Sequence, residues 1–155
     1  MTSTIANADL EADIRSVSRI KGLYCDTIDR IIRDRQPDDA SILGSLFAED
    51  AVIDFTQLNG NVYSGHDAIL QLFLETMPSV TGWMWHTVGA EVIDVDGETA
   101  RGRWTLYAMS LRLGAMDVAP AITYGRYIDE FRRENGVWRQ SQLFFLNETK
   151  RQPPA

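Results

Sequence analysis

The sequence predicts an α+β fold in which three N-terminal helices pack on one curved, mostly antiparallel sheet. In the first half, apolar residues recur every three or four positions, which is the spacing of helices buried on one face. The second half alternates apolar and polar residues, and its Asp96-Gly97 and Asn135-Gly136 dipeptides are typical of tight hairpins. A chain of 155 residues suits a single domain, with a core at about 9–147 and a tail at 148–155.

The predicted first helix runs from about residue 9 to 35. Pro37 and the Asp38-Asp39 pair end it and begin a second helix, and a third begins at 64–67 and ends near Pro78. The apolar stripe of the first helix consists of Leu10, Ile14, Val17, Tyr24, Ile28, Ile31 and Ile32.

Strands are predicted at 51–56 and 62–63, and four long ones at 82–95, 99–113, 121–133 and 137–147. An apolar loop with Gly114 and Pro120 joins the second and third long strands. Long twisted strands with helices on one side curl into a half-open cone. The fold therefore predicts a ligand pocket between the sheet and the helices.

Composition excludes several function classes. The net charge of −7 argues against nucleic acid and anionic membranes as partners. No apolar run reaches the roughly 18 residues of a membrane span, and residues 1–13 show no secretory signal, so we expect a soluble, cytoplasmic protein. The single cysteine, Cys25, excludes a disulfide framework, and no spacing typical of metal ligands is present.

Four segments, taken together and in order, resemble the SnoaL-like polyketide cyclase/dehydratase family. They are LFAEDAVIDF (46–55), GHDAI (65–69), DGETARGRW (96–104) and YGRYIDEFRRENGVWR (124–139). The family belongs to the nuclear-transport-factor-2-like superfamily of cone-shaped α+β domains. That superfamily includes scytalone dehydratase, ketosteroid isomerases, bile-acid dehydratases and limonene-epoxide hydrolase, but also non-catalytic small subunits of aromatic-ring dioxygenases. The resemblance implies the cone more firmly than the function.

His86 is the candidate general base. On its residues alone, a histidine beside Met84, Val88 and Ala90 on an apolar strand face is often a satisfied core residue. The segment HTVG (86–89), however, resembles the one that places the catalytic histidine of scytalone dehydratase inside its cone. Histidine suits this role because its pKa lies near neutrality. The other histidine, His66, is interpreted as a helix-start residue.

Asp29 and Tyr24 are the other two candidate catalytic residues. Asp29 could be a surface carboxylate paired with Arg33, four residues along the helix. The family's dehydratases, however, carry an aspartate at the matching position that orients the histidine, and the resemblance implies that role for Asp29. The spacing from Tyr24 to Asp29 is similar to that in bile-acid dehydratases, whereas a core tyrosine is the alternative for Tyr24.

Five residues are predicted to contact the substrate. By resemblance to the family, Tyr127 and Trp104 face the cavity; scytalone dehydratase has an asparagine and a second histidine there, so its reaction is not simply transferred. Tyr127 could donate to a substrate carbonyl oxygen. The other three are Phe55, Trp85 and Met84, members of an apolar set, with Trp83, Tyr107, Met109 and Met116, for which plain core packing is the alternative.

These residues predict a cofactor-independent lyase or isomerase for a carbonyl-bearing, mostly apolar cyclic molecule. His86 would remove a proton, Asp29 would orient His86, and Tyr24 or Tyr127 would hold the developing oxyanion. One alternative is a non-catalytic scaffold or ligand-binding domain, and another is epoxide hydrolysis using Asp129 and Arg126. A homodimer, or a trimer, is expected to form through the outer face of the sheet.

Overall fold

Within the residues that the structure describes, a long helix and four short ones pack against one six-stranded sheet. The computed structural model describes residues 2–36, 39–115 and 117–149, with side chains from residue 8 onward. The helices are α1 (Thr2–Asp34), α2 (Asp39–Leu46), α3 (Thr56–Asn59), α4 (His66–Gln71) and α5 (Met77–Val80), with a π-helical turn at Leu72–Thr76. The strands are β1 (Phe47–Phe55), β2 (Asn61–Ser64), β3 (Thr81–Asp96), β4 (Thr99–Arg112), β5 (Ala121–Glu134) and β6 (Val137–Asn147).

The predicted α+β class and curved sheet are confirmed. The strand order is β2-β1-β6-β5-β4-β3; the β1–β6 pair is parallel, and the other four pairs of these strands are antiparallel. At the second hairpin, Asn135 and Gly136 both have positive φ, as a two-residue turn with this sequence requires. At the first hairpin Asp96 already pairs with Thr99, so the turn residues are Gly97 and Glu98, one position later than predicted.

The core lies between α1 and the concave face of the sheet. α1 buries Val17, Tyr24, Ile28 and Ile32, which recur at helical spacing, against inward-facing residues such as Phe131. The helix starts at Thr2, earlier than predicted. Pro37, Asp38, Met116 and the predicted tail from Lys150 onward lie outside the described residues.

The third predicted helix is interrupted by the π-helical turn and continues through Pro78. Proline lacks an N–H and its ring clashes with the carbonyl four residues earlier, and a wider turn accommodates both effects. Phe73, in this turn, and Met77, just after it, both reach the interior described below.

A bulge in β3 bends the edge strand of the sheet. The pairing with β4 shifts between Gly89 and Val92, and Ala90 has a φ of 48°. Bulges increase local twist and bend a strand, which contributes to the cone. The bulge also breaks the alternation, so Ala90 is exposed and does not continue the inward face of Met84 and His86.

In the parts of the chain that the structure describes, none of the helices combines the length and apolar character needed to cross a bilayer.

Candidate active site

His86 and Asp29 form a tight pair between β3 and α1. The His86 ring nitrogen Nδ1 lies 2.6 Å from Asp29 Oδ1, and the backbone N–H of His86 donates to Asp29 Oδ2 at 2.8 Å. β3 is an edge strand, so half of its backbone N–H groups have no neighbouring strand to bond, and Asp29 satisfies one of them. One carboxylate therefore holds both the ring and the backbone of His86.

The contact also selects the form of the imidazole. A carboxylate accepts hydrogen bonds, so Nδ1 carries the proton that faces Asp29. Nε2 is then the nitrogen left for a ligand, with a lone pair that can accept a proton. Both side chains are largely buried, at 8% exposure for His86 and 12% for Asp29. The predicted meeting of these two groups is thus observed, whereas Asp29 does not form the alternative ion pair with Arg33, whose guanidinium binds Asp34.

His86 borders an apolar cavity of about 100 Å³ that opens to solvent. An enclosed apolar cavity of about 150 Å³ binds benzene, and this one is of the same order and open to solvent, so it can admit one small cyclic molecule. The cavity exists because small side chains line adjacent positions of β4 and β5: Ala108 and Ser110 pair with His86 and Met84, and Thr123 lies opposite Ala108. The remaining lining residues are Tyr24, Ile28, Phe55, Leu58, Phe73, Met77, Leu106 and Phe145.

Tyr24 is the second functional group of the cavity wall. Its ring meets that of Tyr127 edge to face, with 5.9 Å between the ring centroids. Burial raises the pKa of both phenols well above the usual value. Both therefore stay protonated at neutral pH, and the Tyr24 hydroxyl can donate a hydrogen bond to a ligand.

Behind these tyrosines lies a fully buried ion pair. Lys21 Nζ on α1 is 2.8 Å from Asp129 Oδ2 on β5, and both side chains are completely shielded from solvent. The ammonium lies 3.4 Å from the Tyr127 ring centroid and 4.5 Å from that of Tyr24. Burial raises the pKa of Asp129 to about 6, an effect that Lys21 partly offsets.

Three of the predicted substrate contacts are placed elsewhere. Trp85 is wrong as a cavity residue, because it is 52% exposed on the outer face, where it packs near Trp83. Trp104 is buried, but its indole N–H donates to Glu91, away from His86. Tyr127 lies behind Tyr24 and is not part of the lining, whereas the predictions for Phe55 and Met84 agree with their positions.

Other predicted residues are placed as follows. His66 starts α4, and its Nε2 lies 2.8 Å from the carbonyl oxygen of Gly44, so it joins α4 to α2. Asp129 faces inward and Arg126 outward, which separates the pair that the epoxide-hydrolase alternative requires.

Burial raises the pKa of the Cys25 thiol to about 12, which leaves it protonated. In the described residues, no three His, Cys, Asp or Glu side chains are grouped to hold a metal ion.

Sequence reasoning missed the Lys21–Asp129 pair, although a signal was present. Lys21 falls on the apolar stripe of α1, between Val17 and Tyr24, where a charged residue is unexpected. Asp129 occupies an inward position of β5, between Tyr127 and Phe131. A charged residue at a position with buried periodicity is a sign of a buried partner.

Comparisons with known proteins agree with this architecture. A family model described as a SnoaL-like domain matches residues 9–143. No curated protein matches the chain.

Solved structures show the same fold at low identity. A scytalone dehydratase-like protein from Novosphingobium aromaticivorans DSM 12444 superimposes with a TM-score of 0.73 at 21% identity, covering 95% of this chain and 88% of that one. The hexachlorocyclohexane dehydrochlorinase LinA-type3 from Novosphingobium barchaimii LL02 gives a TM-score of 0.74 at 18% identity, covering 96% and 99%. These are members of the nuclear-transport-factor-2-like superfamily, and at such identities they bear on the fold alone. With the family model spanning most of the chain, this protein belongs to the SnoaL-like domain family.

Proposed function

We propose that the protein is a cofactor-independent lyase or isomerase that removes a proton next to the carbonyl group of a mostly apolar, cyclic small molecule. The observation that carries the proposal is the Asp29–His86 pair at the wall of an apolar cavity. Asp29 commits Nδ1 of the ring, so that Nε2 is available as the base.

The proposed chemistry begins with proton transfer. His86 Nε2 takes a proton from the carbon next to the carbonyl group, and the bonding electrons move onto the carbonyl oxygen. The Tyr24 hydroxyl donates a hydrogen bond to that oxygen, and Asp29 stabilises the imidazolium that forms. Because the cavity is largely apolar, both interactions act at a low local dielectric and are stronger than in water.

Two outcomes follow from the same enolate. In dehydration, the enolate restores the carbonyl group and expels a β-hydroxyl, which leaves as water with the proton from His86. In isomerisation, His86 returns the proton to a different carbon and the double bond moves. Neither outcome requires a cofactor, because a base and an oxyanion donor suffice for an activated C–H bond.

The test uses two substrates with one product. Dehydration of 3-hydroxycyclohexanone and isomerisation of 3-cyclohexenone both give 2-cyclohexenone, whose conjugation is followed by ultraviolet absorbance. We expect His86→Ala to abolish product formation and His66→Gln, a change at the only other histidine, to leave it unchanged. Turnover that survives in His86→Ala would refute the proposal. Product from only one of the two compounds assigns the reaction.

A second candidate function is a non-catalytic scaffold or ligand-binding domain. It is supported by an apolar patch on the outer sheet face, formed by Trp85, Tyr107, Ile122 and Tyr124, each at least 41% exposed. These residues lie on adjacent strands in register. The open cavity argues against it, because a pure scaffold gains stability from a filled interior.

The same patch supports assembly, and we propose a homodimer, with a trimer as the alternative, held together through this outer face. Exposed apolar patches on soluble domains mark contact surfaces. We further propose the cytoplasm as the location, on the basis of the acidic composition and the single buried thiol.

A further inference from the structure

The buried Lys21–Asp129 pair needs an explanation beyond folding. Both groups are removed from water, yet Lys21 Nζ and the Asp129 oxygens lack an aligned hydrogen bond to any described residue. Removing two charges from water costs more than an imperfectly aligned pair returns, so apolar residues of similar size are often equally stable or more stable. The position of the pair, beneath the two tyrosines, suggests what it does.

The geometry connects the pair to the cavity in two steps. The ammonium of Lys21 lies over the face of the Tyr127 ring, 3.4 Å from its centroid. The same ammonium lies 4.5 Å from the centroid of the Tyr24 ring, which meets the Tyr127 ring edge to face. Tyr24 lines the cavity beside His86. A continuous chain thus runs from a buried charge to the wall where a ligand would bind.

The ammonium of Lys21 changes how strongly the Tyr24 hydroxyl donates a hydrogen bond. Positive charge near the Tyr24 ring favours electron density on its oxygen moving toward the ring, which makes the Tyr24 hydroxyl a stronger donor. The Tyr24 proton therefore becomes a better donor to a negatively charged oxygen in the cavity. Asp129 keeps the ammonium in place and the buried charge balanced.

We propose that Lys21, held by Asp129, is a positioning residue that acts through Tyr24 to make the cavity a binding site for an oxyanion. The inference rests on the proposed function only in taking Tyr24 as the group that meets the oxyanion. Lys21 itself is not one of the residues that line the cavity.

The experiment compares an anionic with a neutral ligand of similar shape. 4-Nitrophenolate places a negative oxygen in the cavity, and its binding is followed by its visible absorption band; nitrobenzene lacks that oxygen. We expect Lys21→Met to weaken phenolate binding by roughly tenfold, from the Coulomb interaction of one charge several ångströms away. Nitrobenzene affinity should stay within about twofold, as befits a ligand bound mainly by apolar contacts.

Three further comparisons keep the result interpretable. The double variant Lys21→Met/Asp129→Leu replaces the whole pair with apolar groups; it should fold and show the same selective loss of phenolate affinity. The control Thr27→Val changes another buried polar residue of α1 and should bind both ligands like the wild type. In a Tyr24→Phe background, Lys21→Met should have no additional effect, because the intermediary is absent.

Several results would overturn the inference: equal weakening of both ligands, an undiminished Lys21→Met effect in the Tyr24→Phe background, or no phenolate binding by the wild type. This inference and the proposed function can fail independently, because the inference is tested by phenolate affinity and the proposed function by enone formation, which depends on His86.

Discussion

Replacing Asp29 with asparagine should reverse the tautomer of His86. In the wild type, Asp29 accepts one hydrogen bond from the ring and one from the backbone N–H. Asparagine can still accept the backbone bond through its oxygen, but it then presents its NH₂ group to Nδ1. Nδ1 must then act as an acceptor, so the proton moves to Nε2. Nε2 thereby loses the lone pair that would take a proton from the substrate.

The size of the effect follows from this geometry. The 2.6 Å contact with a carboxylate is charge-assisted, and losing such a bond costs about 1.5–3 kcal/mol of stability. The effect on proton transfer should be larger, since the wrong tautomer lowers the rate of histidine-dependent catalysis by roughly 10³–10⁴-fold. That loss corresponds to about 4–5 kcal/mol of transition-state stabilisation.

Nitrogen-15 NMR of the imidazole rings measures the tautomer directly. His66 provides an internal reference, because its Nε2 faces the carbonyl oxygen of Gly44, which can only accept, and so carries the proton. Wild-type His86 should show the opposite tautomer, with the proton on Nδ1, and Asp29→Asn should convert it to the His66 form. A variant that keeps the Nδ1 proton, or whose rate falls by less than about tenfold, would refute the reasoning.

Three further predictions concern stability, the cavity and assembly. Asp13 accepts a hydrogen bond from Trp138 and pairs with Arg133, which lowers its pKa, so Asp13→Asn should lose about 1–2 kcal/mol at pH 7. Because a lowered acid pKa stabilises the fold above the unfolded value of 3.8, urea titrations should show that this difference disappears as the pH falls below it. Ala108→Leu fills the cavity and should weaken nitrobenzene binding at least about tenfold with little change in Tm; unchanged affinity would place the ligand elsewhere. Tyr124→Glu puts a charge in the outer patch and should convert a dimeric mass to a monomeric one by light scattering, and a monomeric wild type would contradict the proposed assembly.

Local sequence signals were sufficient to predict most of the fold. Apolar spacing predicted α1, and the Asn135-Gly136 dipeptide predicted the turn at which both residues have positive φ. The His86–Asp29 proximity followed from the family resemblance, and the structure supplies its local cause, an edge-strand N–H that Asp29 satisfies.

The errors at the site have physical causes. Adjacent residues of a strand point to opposite faces, so Trp85 cannot face the cavity if His86 does. Trp104 shares the inward face with Ala108, but four residues at roughly 3.3 Å each place it about 13 Å further along the cone. Its distance from His86 follows from the register of β3 and β4, in which His86 lies opposite Ala108.

The buried pair depends on an even longer-range arrangement. Lys21 and Asp129 are separated by most of the chain, and each by itself is a charged residue at a position where an apolar one is expected. Only the packing of α1 across β5 brings the ammonium to the carboxylate and to the Tyr127 ring. Periodicity could identify both positions as unusual, but it could not pair them.

The most direct test of the central claim is exchange of the acidic protons of 2-tetralone in D₂O, followed by proton NMR. This apolar cyclic ketone requires only that a base remove a proton next to the carbonyl group. We predict that the wild type accelerates exchange, that His86→Gln does not, and that Asp29→Asn falls close to His86→Gln. Exchange by His86→Gln at the wild-type rate would contradict the assignment of His86 as the base.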